Sequence, residues 1–129
     1  MTMAAFSGQP VRVGGQDRVM VAGSFAPNGS SAIDATKTYG KGFTAAYTTT
    51  GTFTVTLTDV YGQLDSATAT LQLATAADQI AMIGAYTAAS KTIIIYVWDI
   101  SDAALSDNVT ANTNNRINFC LIFRNSGSE

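Results

Sequence analysis

Residues 52–58, "TFTVTLT", alternate without a break: Phe53, Val55 and Leu57 at one parity, Thr52, Thr54, Thr56 and Thr58 at the other. A period of two marks a half-buried β-strand, because successive side chains leave the backbone on opposite faces. "DSATATLQLA" repeats the pattern, with Ala67, Ala69, Leu71 and Leu73 on one face and Ser66, Thr68, Thr70 and Gln72 on the other. In both segments the outward parity carries hydroxyls and an amide instead of charges. Strands of this kind hide their apolar parity by stacking sheet on sheet.

Turn signals cut the remaining chain into pieces of strand length. "RVMVAGSF" (18–25) is closed by Pro27 and the Asn28–Gly29 pair. "SAIDATKTYGKG" is ambiguous and has room for one edge strand. "GFTAAYT" and "TFTVTLT" are joined through Thr49, Thr50 and Gly51, which predicts a hairpin with glycine at a positive φ. "DVYGQL" turns around Gly62. "QIAMIGAY" (79–86) and "KTIIIYVWD" (91–99) are strands separated by "TAAS". A helix is the competing reading of the Ala-rich 74–90, and Gly84 disfavours it. "ISDAALSDNVTANTNN" reads as a long polar loop and "RINFCLIFR" (116–124) as the last strand. The expected fold is an all-β antiparallel sandwich of seven or eight strands, jelly-roll-like. Its expected organisation is an arm over residues 1–16, one domain over 17–125 and a frayed tail over 126–129.

One strand breaks the one-face rule. In "KTIIIYVWD", Ile93, Ile95 and Val97 serve the core, which leaves Ile94, Tyr96 and Trp98 on the opposite side. Such a row is too apolar to face water. A loop or neighbouring strand covers it, or another subunit does, and the second alternative makes Ile94, Tyr96 and Trp98 a subunit interface. The last strand repeats the theme weakly, with Asn118, Cys120, Ile122 and Arg124 opposite Ile117, Phe119, Leu121 and Phe123.

The residues that do chemistry are scarce. Histidine is absent, which removes the commonest general base and transition-metal ligand. The single cysteine, Cys120, forms no intrachain disulfide and reads as a small buried hydrophobe. A net charge of −2 with no basic run argues against nucleic acid as a partner. No run of 18 apolar residues is present, so no membrane partner is expected. The opening "MTMAAFSGQPVRVGG" lacks the basic start and long apolar run of a secretory signal, so synthesis in a cytoplasm is expected. No phosphate loop, dinucleotide fingerprint, zinc spacing or nucleophile elbow occurs. Asp99, Asp102 and Asp107, with Asn108, form the one local acidic cluster, but their spacing fits no calcium loop and no neighbour tunes a carboxylic acid. No catalytic residue, metal ligand or cofactor is therefore predicted.

Residues 41–126 carry a family resemblance. "GKGFTAAYTTTGTFTVTLTDVYGQLDSATATLQLATAADQIAMIGAY", then "KTIIIYVWD" and "ANTNNRINFCLIFRNS", resemble small virion proteins of tailed bacteriophages. The resemblance implies a capsid decoration (cement) protein, a β-sandwich trimer on the outside of the shell. It implies two partners, the major capsid protein and the chain's own copies, with the virion surface as its place of action. The "G-x-(F/Y)-x-V" rhythm is also similar to trimeric C1q-like heads. In such a protein the Ile94–Tyr96–Trp98 row serves self-association, and the arm, through Phe6, Val11, Arg12 and Val13, grips the shell. A receptor- or glycan-binding head of a phage fibre, or another tail-associated part, is the alternative.

Overall fold

The structure, a computed structural model, describes residues 11–12, 18–29, 31–107, 109, 112 and 114–124. Among these residues there is no helix, and ten strands follow one another. They are β1 (Val11–Arg12), β2 (Arg18–Pro27), β3 (Ile33–Gly40), β4 (Phe43–Thr49), β5 (Thr52–Leu57), β6 (Gln63–Gln72), β7 (Gln79–Thr87), β8 (Thr92–Asp99), β9 (Ala104–Leu105) and β10 (Arg116–Arg124). Two antiparallel sheets pack together as a β-sandwich. In the first, β2 pairs with β10 along one edge and with β1 and β3 along the other, and β6 lies beyond β10. The second has the order β4-β5-β8-β7, with β9 on the far end of β8.

The alternation read from the sequence places the core. Val19, Val21 and Phe25 of β2 and Ile117, Phe119, Leu121 and Phe123 of β10 face inward from the first sheet. Phe53, Val55 and Leu57 of β5 and Ile93, Ile95 and Val97 of β8 meet them from the second. Phe25 bridges the layers, its ring 5.4 Å from Phe53 and 6.2 Å from Phe119. Large residues fill the central strands, whereas β6 turns the smaller Ala67 and Ala69 inward. One end is closed by Tyr61, which stacks on Phe123 at 4.7 Å and accepts a 2.7 Å hydrogen bond at its carbonyl from the Tyr86 hydroxyl.

The β4–β5 hairpin forms as its turn residues predict. Gly51 has φ 58°, and the register shifts by one residue between Tyr47 and Thr49. A Cβ at Gly51 would stand 2.6 Å from Ser106 N and 2.7 Å from Val97 O, so β9 and β8 close over the turn only because the side chain is missing.

Several details differ from the sequence reading. The ambiguous 31–42 segment forms a full strand, β3, with an interruption. Tyr39 pairs with Ser24 and Asp34 with Ala26, so residues 35–38 protrude opposite Phe25 alone. The polar loop after β8 contains the two-residue β9. Val11 and Arg12, assigned to the arm, form β1 and pair back onto Met20 and Val19 of their own domain. Phe6 and Val13 lie outside the described residues. The jelly-roll order is not confirmed: β2–β3, β4–β5 and β7–β8 are hairpin neighbours, whereas a jelly roll chiefly pairs strands remote in sequence. Tight turns at Asn28–Gly29, Thr50–Gly51 and 88–91 make local closure the least costly route in chain entropy.

Candidate interaction surface

Ile94, Tyr96 and Trp98 stand on the outer face of the second sheet, each half-buried. Cross-strand pairing brings Ile80 beside Trp98 and Met82 beside Tyr96 from β7, and Leu105 beside Trp98 from β9. Ile80 is 43% exposed, Met82 37% and Leu105 36%, so the row is widened by its neighbours and left uncovered by any described residue. Met82, Tyr96, Trp98 and Leu105 line a shallow groove of about 320 Å3.

The other half of this face is hydroxylic. Thr44, Thr56, Thr92 and Thr87 form one rung across all four strands. On the next rung Thr54 lies between Ala46 and Ile94. The Thr48 and Thr54 hydroxyls are 2.6 Å apart and bond to each other. Threonine suits these positions because its branched carbon packs on a pleated sheet and its hydroxyl can pair with a neighbour, as at Thr48 and Thr54. No charged side chain stands on the face among the described residues.

The acidic cluster separates into two structural roles. Asp99, 8% exposed, accepts hydrogen bonds at Oδ1 from Ser101 Oγ (2.9 Å) and Asp102 N (3.1 Å), which fixes the turn leaving β8. Asp107 accepts from the Tyr47 hydroxyl at 2.8 Å and from Gly51 N at 2.6 Å, tying the β9 segment to the β4–β5 hairpin. Asp102 is exposed, and Asn108 lies outside the described residues. Among the described residues no group of three metal-type side chains converges.

The outer face of the first sheet is organised differently. Asp65 receives Arg18 Nε at 2.8 Å and Arg124 Nη2 at 3.6 Å. Arg116 lies over the Tyr39 ring at 4.7 Å and donates to the Lys37 carbonyl at 3.0 Å. Cys120 sits half-buried between Ala22 and Thr68. On the protruding part of β3, hydrogen bonds from Lys37 and Thr36 hold the Asp34 carboxyl at about 2, below its ordinary 3.8. Burial pushes the phenols of Tyr61 and Tyr86 above their ordinary 10.0.

The structure thus gathers Ile94, Tyr96 and Trp98 as predicted and adds Ile80, Met82 and Leu105, which the sequence reading missed. For Ile80 and Met82 a signal was present: "QIAMI" is apolar at both parities, so one parity has to face outward. Leu105 had none, because its strand is two residues long and flanked by serine and aspartate. No family model, curated protein or solved structure matches the chain.

Proposed function

We propose that this chain is a virion structural protein, a decoration or cement protein that binds the outer surface of a tailed-phage shell and reinforces it. In this reading it contacts the major capsid protein and its own copies, as the homotrimer the resemblance implies, and performs no catalysis. The observation that carries the proposal is the charge-free outer face of β4-β5-β8-β7, apolar in one half and hydroxylic in the other. Desolvating such a face costs little, and its aromatic centre is the residue type that contributes most at interfaces. The absence of histidine and the structural engagement of Asp99 and Asp107 support a role without chemistry. Repetition on a lattice makes many weak contacts sufficient.

A second reading, a glycan- or receptor-binding head of a fibre, is favoured by one feature. At the β6–β7 end a concavity of about 270 Å3 is lined by Ala74, Ala77, Gln79, Asn112 and Asn115, among others. Its amides suit hydroxyl-rich ligands, but the aromatic platform on which sugars stack is absent from its described lining. Immunogold labelling of purified particles separates the readings. Dense labelling over the head supports decoration, a few copies at the tail tip support the fibre head, and absence from the particle overturns both.

A further inference from the structure

The two margins of the first sheet are built differently. At one, β1 and β3 share the edge of β2, and β3 is interrupted at residues 35–38. At the other stands β6, ten residues without lysine, proline or glycine, paired with β10 alone. Its register shifts only beside Asp65, so Ser66–Gln72 runs unbroken, its second rim of amides and carbonyls unpaired by any described residue. Edge strands of soluble proteins are ordinarily guarded by charge, proline or a bulge. Ser66–Gln72 has none of these.

β7 is the matching edge of the second sheet, paired with β8 alone. Between β6 and β7 the sandwich is open. The inward residues of β2, β5, β8 and β10 are buried, whereas Ala67, Ala69 and Leu71 of β6 and Ala81 and Ile83 of β7 are only half-buried. A groove of about 230 Å3 follows this seam, lined by Ala69, Thr70, Leu71, Gln79, Ile80 and Ala81. No charged residue occurs from Ser66 to Ala77 or from Gln79 to Ser90. Ile80 also belongs to the apolar row beside Trp98, so the seam and the row form one continuous surface.

We propose that this seam takes an extended strand from a second copy, residues 1–10, which pairs with the free edge of β6 and sets Phe6 into the groove over Ala69 and Ala81. The proposal rests on the self-association part of the reading above and names a contact from which the trimer is made. A donor segment on one surface and an acceptor edge on another meet head to tail, the kind of contact that closes into a ring. Main-chain hydrogen bonds supply the affinity of such strand addition, and the groove supplies its register.

Composition and connectivity single out this occupant. "MTMAAFSGQP" carries no charge, as the seam carries none, and it holds the large apolar side chains for which the seam's alanines leave room. Its own edge is closed to it. Val11 pairs with Met20, so a chain continued backwards from β1 would set residue 8 at Gly23, whose edge Gly40 already holds. Pro10, at the point of departure, offers no amide. Reach then favours a neighbour over the same chain. Ten extended residues span ~33 Å. The chain's own β6 lies beyond β2 and β10, three strand spacings or ~14 Å away on the far margin. That crossing consumes about half of the segment, whereas a neighbour's segment lies with its whole length along Ser66–Gln72.

With Phe6 in the groove, Ala5 and Thr70 share the outer side of the added pair. Full chains carrying Ala5→Cys and Thr70→Cys, with Cys120→Ser removing the native thiol, test this by treatment with a short bis-maleimide. Linked dimers and trimers on a denaturing gel are the expected result. Links within single chains only, or no links, overturn the exchange. By sedimentation and light scattering the wild-type chain should be a trimer. Phe6→Asp should weaken its assembly roughly tenfold without altering the circular dichroism, and amides of Ser66–Gln72 should then exchange faster. A trimer indifferent to Phe6→Asp overturns the exchange and leaves self-association through the apolar row standing, whereas a monomer at every concentration overturns both. Absence of the protein from particles removes the decoration role without touching the exchange, which is read on the isolated chain.

Discussion

Tyr96 lies across Gly84: a Cβ at residue 84 would stand 2.6 Å from Tyr96 Cε2 and 3.1 Å from Ile94 Cβ. The glycine is what lets an outward tyrosine lie down on its neighbouring strand instead of projecting into water. Gly84→Ala should therefore lift the ring and also crowd Ile94, whose Cβ and carbonyl oxygen lie 3.1 and 3.2 Å from the added carbon. Trp98 fluorescence and the concentration dependence of light scattering should both change, and the urea midpoint should fall.

Trp98→Arg places a cation in the apolar row without touching the core, because Ile95 and Val97 face the other way. A folded protein with unaltered circular dichroism and no self-association is the expected result by light scattering. An unfolded variant would mean that the indole supports the sandwich itself.

Asp107 secures two elements at once through Tyr47 and Gly51. Asp107→Ala strands the Gly51 amide inside the closed turn and should cost about 1–3 kcal/mol in urea unfolding. Asp107→Asn keeps an oxygen for Gly51 N and an amide that the Tyr47 hydroxyl can accept, so its loss should be smaller.

Asp34 should titrate near 2 by carbon NMR of its carboxyl, with Lys37→Ala moving the midpoint back toward 3.8. A carboxyl with a lowered folded pKa contributes its stability above the unfolded value and loses it as pH falls through the folded one. The Asp34 contribution is thus complete above about 4 and gone below about 2.

The buried phenols act at the other extreme. Their folded pKa values lie above 10.0, so their contribution is full below that value and is lost as pH rises through the folded ones. Alkaline difference spectroscopy should show late-ionising tyrosines whose release coincides with unfolding. Tyr86→Phe removes the bond to the Tyr61 carbonyl and should cost about 1 kcal/mol.

The parity of "TFTVTLT", "KTIIIYVWD" and "RINFCLIFR" was enough to divide core from surface on the central strands, because burial on one face imposes a period of two. The hairpin at Gly51 was legible for a similar reason: a glycine set between two alternating segments marks where the backbone reverses through a positive φ. Strand order was not legible, since parity says which face a residue takes and nothing about which strand lies beside it. The widening of the surface row by Ile80 and Met82 depended on β7 lying next to β8, and Leu105 on a two-residue strand that no pattern announces. The division of Asp99 from Asp107 was hidden as well. It follows from where Tyr47 and Gly51 lie in space, and both are far from the acids in the chain.

The kink that residues 35–38 introduce into β3 bears on how this molecule survives crowding. An unbroken rim of free amides and carbonyls invites a neighbour to dock as one more strand, and repetition of that step ends in fibrils. Here the rim is broken within a few residues, and the break carries the Asp34–Lys37 pair outward. A further strand can therefore pair with this edge of the first sheet over only a few residues at a time.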